Sequence, residues 1–325
     1  MSRTRPTPPS RADVLDAAQR INGYVRGTTL IDSPGLGPAG VLAVESFQPT
    51  GSFKVRGALA ALAPLGPGEH VVTASAGNHA LAIAHAARVL EVGATVVVPE
   101  NASPAKLEAL EAMDAKVVLK GKRYDEAEKH ALRLAQKAGR FVSAYNDRFV
   151  VAGQGTVAME LLKRIEGPMT VVVPIGGGGL AAGVALWATQ RAGVRVVGVE
   201  VEACRAVSTA IAKGKIVKVP LGESVADGLV GNLEEGTITV DLVERYVERI
   251  VAVGEDELLD AMRFLATRHG LVVEGGGAVA TAAILAGRVE AGPGRIVSLV
   301  TGRNVAPDAL LAALKPRRRA ARKPA

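Results

Sequence analysis

The sequence predicts an α/β protein with parallel sheets arranged in two lobes. Strand-like apolar runs alternate with helical ones along most of the 325 residues. Glycine-bearing loops stand where a run of the first kind gives way to the second. A proline- and glycine-rich joint, Pro64-Leu65-Gly66-Pro67-Gly68, separates one group of these units from the rest. Such alternation makes parallel sheets, whose ligand loops lie at the carboxyl ends of the strands.

The elements can be justified in order. Residues 1–19 read as a disordered arm, because Ser2 to Ser10 is rich in proline and arginine and lacks a signal peptide's apolar run, so export is not expected. A larger domain takes residues 20–66 and 147–314, and a smaller substrate-side domain takes 67–146. Strands are expected at Val41 to Val44 and near Val71, Ala94, Lys116, Phe141, Val171, Arg195 and Ile296. Residues 315–325 read as a basic disordered tail.

Lys54 is the first residue with chemistry to offer. It follows the turn Gln48-Pro49-Thr50-Gly51 and Ser52-Phe53, then opens an alanine- and leucine-rich helix. A lysine packed against apolar neighbours at such a corner loses solvation, which lowers its pKa and frees the amine as a nucleophile.

Two further loops add anion sites. Gly176-Gly177-Gly178-Gly179 joins the strand Thr170 to Ile175 to a helix starting at Leu180, where backbone N–H groups and the helix dipole suit a phosphate. The loop has neither a P-loop ending nor dinucleotide spacing. Met169 to Ala188 carries no charge over twenty residues, but its glycines and proline argue for a buried strand and helix rather than a membrane span. Thr73-Ala74-Ser75-Ala76-Gly77-Asn78-His79 again leads from strand to helix, and its small residues suit a carboxylate. Asn78 could equally be a helix cap, and His79 a first-turn residue with a structural role.

Ser52-Phe53-Lys54, Ser75 to His79, Gly176 to Gly179 and Thr301-Gly302-Arg303-Asn304 stand in the order found in fold-type II pyridoxal-phosphate enzymes. Within that group the chain resembles the threonine/serine dehydratases, with serine racemase a near relative. Ala226-Asp227-Gly228-Leu229 and Glu274-Gly275-Gly276-Gly277-Ala278 are also similar to dehydratase motifs. The resemblance covers roughly residues 20 to 314.

It implies a tryptophan synthase β-like fold with pyridoxal 5'-phosphate in the cleft between the lobes. Lys54 would carry the cofactor, yield it to the substrate amine and act as the base on Cα. Gly176, Gly177, Gly178, Gly179 and Leu180 would hold the phosphate, with Phe53 beside Lys54. Asn78 would face the ring's phenolic oxygen and Thr301 its nitrogen, where a hydroxyl makes a milder electron sink than a carboxylate would. Ser75, Ala76, Gly77, Asn78 and His79 would hold the substrate carboxylate. The implied reaction is β-elimination from a small 3-hydroxy amino acid, L-threonine or L-serine, in a cytoplasmic homodimer. Serine racemisation and 3-hydroxyaspartate ammonia-lyase activity are the neighbouring alternatives.

Three departures matter. Serine racemase has a catalytic serine where this chain has Ala76. Relatives that bind a divalent cation have a later acid where Ala206 follows Glu200, so no metal site is expected. Arg303 stands in place of a more usual glycine, as a surface residue or a contact for a substrate carboxylate. The effector domain of long threonine deaminases is not expected either.

Composition favours an enzyme over a nucleic-acid binder. The net charge is +7, but Lys315, Arg317, Arg318, Arg319, Arg322 and Lys323 supply six of those charges, leaving +1 for residues 1–314. The tail has no aromatic residue to stack on bases. A single cysteine, Cys204, excludes an intrachain disulfide. A nucleic-acid binder built round the basic tail and a cofactor-binding protein without turnover are the alternatives outside catalysis.

Overall fold

The computed structural model describes residues 5–66, 68–102, 104–113 and 115–315. The chain opens with helix α1 (Arg11–Ile21), the strands β1 (Thr29–Asp32) and β2 (Gly40–Val44), and helix α2 (Lys54–Leu62). Next come β3 (His70–Ala74), α3 (Asn78–Val89), β4 (Gly93–Val98), α4 (Pro104–Glu111), β5 (Lys116–Leu119), α5 (Tyr124–Ala138) and β6 (Arg140–Phe141). The remainder is α6 (Arg148–Arg164), β7 (Met169–Pro174), α7 (Gly179–Ala188), β8 (Val194–Val201), α8 (Ala206–Lys213), α9 (Thr239–Tyr246), β9 (Arg249–Val253), α10 (Glu255–His269), α11 (Gly275–Leu285), β10 (Arg295–Val300) and α12 (Pro307–Leu314).

The strands form two sheets. A six-stranded sheet runs β1-β2-β10-β7-β8-β9, and a four-stranded sheet runs β5-β4-β3-β6. Every pairing is parallel except β1 with β2. Side chains of a strand point alternately to its two faces. On β2, Leu42 and Val44 join one core with Val197, Leu258 and Val279, while Val41 and Ala43 join another with Val157, Leu161 and Val184. Both faces of the larger sheet are therefore covered by helices, which is why its strands read as continuous apolar runs. The uncharged stretch at 169–188 is β7 and α7, and among the described residues no helix is long and apolar enough to cross a membrane.

The N-terminal segment departs from expectation. Disorder was expected through residue 19, yet Arg11–Ile21 is helical. Ser10 caps it in a reciprocal pair with Asp13, and Val14, Ala17 and Ile21 are buried. These apolar residues recur with helical spacing between Arg11, Asp13, Asp16 and Arg20, so the charges mask an amphipathic face. Asp13 is also held by Arg148 of α6 at 2.7 Å. Residues 1–4 and 316–325, the ends of the expected arm and tail, lie outside the described residues.

Candidate active site

Lys54 begins α2 directly after the turn leaving β2. Phe53 N–H donates to the Thr301 carbonyl at 3.0 Å and Ser52 pairs with Gly302, which ties this corner to the end of β10. The Lys54 amine donates to the Ala144 carbonyl at 2.8 Å, and the Phe53 ring centroid lies 5.3 Å away. Crowding by protein atoms pulls its pKa down to about 8, against an opposing pull from the Glu274 carboxylate. The residue keeps partial exposure along its length, so the shift reflects packing around the amine rather than complete isolation from water.

Two residues on, Arg56 fixes the helix. It is fully buried, with Nε 2.7 Å from Glu45 and Nη1 2.7 Å from Glu160 on α6. Nη2 also donates to Thr28 Oγ1 at 3.2 Å. The paired carboxylates hold the guanidinium charged despite burial, which by itself would lower its pKa.

The glycine loop leaves β7 through buried Ile175. Gly178 has φ +87°, a left-handed conformation that turns the chain into α7, and no side chain caps that helix. The N–H groups of Gly179, Leu180 and Ala181 therefore lack intrahelical acceptors. Gly177 serves a different need: a Cβ there would overlap the Tyr145 ring. Tyr145 is held in place because its hydroxyl accepts from Glu234 N–H at 2.7 Å, and burial raises its pKa well above the ordinary value. Thr239 Oγ1 donates to the Gly177 carbonyl at 2.6 Å.

The third loop comes from the smaller sheet. Ser75 N–H donates to the Val97 carbonyl at 3.2 Å, and Gly77 N–H to Ser75 Oγ at 3.2 Å. Ser75, Ala76, Gly77 and Asn78 are half-buried, and α3 also starts without a side-chain cap. Asn78 Nδ2 donates to Glu274 Oε1 at 2.7 Å, while Asn304 Nδ2 donates to Asn78 Oδ1 at 2.6 Å. His79 is 3% exposed and its Nε2 lies 3.3 Å from the Val142 carbonyl. Desolvation, with the nearby Lys54 charge, pushes its pKa down to about 3, so its ring is neutral near pH 7. Its side chain thus turns into the protein, away from the loop. Thr301 is buried and its hydroxyl donates to the Gly276 carbonyl at 3.3 Å, opposite the start of α11.

These contacts bring together the carboxyl ends of β2, β3, β6, β7 and β10. Sequence reasoning missed Ala144, Tyr145 and the pairing of Asn78 with Glu274 and Asn304. The glycines that admit Tyr145 were the available signal for it, and Glu274 and Asn304 already stood inside noted motifs. Glu200, 1% exposed, accepts from Val207 and Ser208 N–H at 2.8 and 3.2 Å and so caps α8. Arg303 is exposed, and its N–H donates to the Gly51 carbonyl at 2.9 Å. Cys204 is buried and donates to the Gly231 carbonyl at 3.4 Å.

An amine of lowered basicity between two uncapped helix starts defines a site for a carbonyl compound that also carries an anion. The chain belongs to the pyridoxal-phosphate dependent enzyme family, whose pattern matches residues 21–302. It is 36% identical over 302 residues to an L-threonine ammonia-lyase of Thermotoga maritima, covering 90% of this chain and 75% of the relative. Among solved structures it is similar to a threonine deaminase of T.th., with TM-score 0.83 and 35% identity over 91% of this chain and 98% of that one. It is also similar to maize serine racemase, with TM-score 0.87 and 28% identity over 95% and 97% of the two chains. The donor set fits pyridoxal phosphate: an amine for its aldehyde, unpaired N–H groups for its phosphate, and amide and hydroxyl groups for its ring. Ser52 Oγ, buried beside Lys54, has no hydrogen-bond partner among the described residues.

Proposed function

We propose that the protein is an ammonia-lyase that removes the β-hydroxyl of L-threonine or L-serine and releases a 2-oxo acid and ammonia. The observation carrying this reading is the Lys54 amine, with its pKa near 8, at the meeting point of the three loops. Pyridoxal phosphate, when bound, supplies the aldehyde that captures the substrate amine and a ring that withdraws electrons from Cα.

In this reading the protein's own groups do the rest. The N–H groups from Gly176 to Leu180 would hold the phosphate, and Lys54, with Phe53 beside it, would hold the aldehyde end. Asn78 would serve the phenolic oxygen and Thr301 the ring nitrogen. The backbone of Ser75 to His79 binds the substrate carboxylate, and the His79 side chain supports that loop from beneath. The free Lys54 amine would take the proton from Cα, as a base with a pKa near the working pH does best. Elimination is favoured over racemisation because the methyl group of Ala76 cannot return a proton to the opposite side of Cα.

The family relatives named for threonine support the substrate class, and the reading includes a cytoplasmic homodimer, checked by light scattering and cell fractionation. The deciding experiment incubates the cofactor-loaded protein with L-threonine and L-serine and measures 2-oxo acid, ammonia and D-serine. Release of 2-oxo acid, abolished by Lys54→Ala, is expected. D-Serine formed as fast as pyruvate would make the enzyme a racemase instead.

A further inference from the structure

The Asn78 side chain is held at both ends. Its Nδ2 donates to Glu274 Oε1 at 2.7 Å, and its Oδ1 accepts from Asn304 Nδ2 at 2.6 Å. Asn304 is itself anchored, since Nδ2 also donates to the Thr50 carbonyl at 2.9 Å. Glu274 is set just before α11, where its N–H donates to the Gly302 carbonyl at 3.1 Å. A Cβ at Gly302 would meet the Glu274 carboxylate, so the glycine leaves that carboxylate the place it occupies.

A carboxylate can only accept hydrogen bonds, and an amide carries two N–H groups on one side and a carbonyl on the other. Glu274 therefore decides which end of the Asn78 amide faces it, and Asn304 supplies the donor that the opposite end requires. With one N–H and the carbonyl engaged, the second N–H of Asn78 has no partner among the described residues. A reversed amide would set its oxygen against the Glu274 carboxylate and its NH2 against the Asn304 NH2, two repulsions at once.

We propose that Glu274 and Asn304 are positioning residues that lock the polarity of the Asn78 amide, so that it offers the cofactor ring a hydrogen-bond donor and never an acceptor. A fixed donor selects an oxygen that bears negative charge, and being fixed beforehand it needs no reorganisation when the ligand arrives. The lock also spans the molecule: Asn78 opens α3 after β3 of the smaller sheet, whereas Asn304 follows β10 of the larger sheet and Glu274 precedes α11, which packs on β10. Separation of the two sheets would break both bonds and free the amide to turn.

The proposal rests on the reading that Asn78 contacts the cofactor, and the test separates the two. Glu274 also acts on the charge of Lys54, so all variants are made in a Lys54→Ala background, where pyridoxal phosphate binds without a covalent link. Its Kd is measured by titrating the cofactor-free protein and following cofactor fluorescence. Asn78→Ala and Glu274→Gln should each weaken binding about tenfold, roughly the worth of one hydrogen bond to a charged group. Adding Glu274→Gln to Asn78→Ala should then cost nothing more, because the residue acts through the amide. An unchanged Kd in Glu274→Gln, or full additivity with Asn78→Ala, overturns the proposal. An unchanged Kd in Asn78→Ala instead overturns the reading beneath it. Thermal melts of the cofactor-free variants accompany each titration. If Glu274→Gln fails to fold, Asn304→Ala decides by the same comparison, with the same two outcomes.

Discussion

The reactivity of Lys54 in the cofactor-free protein should follow a titration centred near pH 8. The ordinary lysine value is 10.5, and packing around the amine brings it to about 8. At pH 7 the neutral fraction is then about 9%, against about 0.03% for an exposed lysine, a difference of about 300-fold. The sign for stability follows from proton binding. Between about pH 8 and 10.5 the unfolded chain holds a proton on this lysine that the native state has released. Stability contributed here is fully present above 10.5 and is lost as the pH falls toward 8, below which the loss is constant. The assay is timed modification with trinitrobenzenesulfonate from pH 6 to 11, with Lys54 quantified by peptide mass mapping. Because access to the amine scales every rate equally, the midpoint and not the absolute rate is the readout. In Glu274→Gln the midpoint should fall below that of the wild type, since the carboxylate favours the charged amine. A wild-type midpoint at 10 or above would refute the argument that this corner desolvates the lysine.

Gly177→Ala should destabilise the fold by about 1–3 kcal/mol, as overpacking does, because the new methyl group meets a Tyr145 ring that its bond to Glu234 holds in place. Urea unfolding and the Kd for pyridoxal phosphate would both register it, and an unchanged Kd would show that the loop tolerates a side chain. Ala76→Ser should raise D-serine formation from L-serine relative to pyruvate, provided the hydroxyl comes within about 2.6–3.2 Å of Cα; chiral chromatography measures the ratio, and no change in it would remove position 76 from the stereochemical argument. Arg56→Met should cost about 3–5 kcal/mol in urea unfolding, since it leaves Glu45 buried without its cation. A cost below about 1 kcal/mol would show that the network adds little beyond packing.

Most of the strands were legible because burial on both faces writes them as unbroken valine-rich runs, as in Thr170 to Pro174. The two omitted strands lie at the edges of the larger sheet. β1 has four residues, none fully buried, and β9 is largely half-buried, so neither shows that signature. The missed first helix had its apolar face divided among charged residues. At the site, Lys54 and the glycine loop declare themselves by position between strand and helix. Tyr145 does not, because nothing local links it to a loop more than thirty residues later; only the space left by Gly177 and Gly179 does. The lock on Asn78 was beyond sequence reasoning for a related reason. It joins residues separated by 196 and 226 positions, and its meaning lies in which atom faces which.

The order of the larger sheet places its last-made strand, β10, between β2 and β7. During synthesis the ribosome therefore releases β2 and β7 long before the strand that joins them exists. Until residues 295–300 emerge, two apolar strands wait with open edges, the condition under which chains pair with the wrong neighbour. Thr301 and Asn304 arrive later still, and with them the carbonyl that receives Phe53 N–H beside Lys54. The vulnerable interval of the chain's biogenesis is thus set by the time needed to translate the 120 or so residues between β7 and β10.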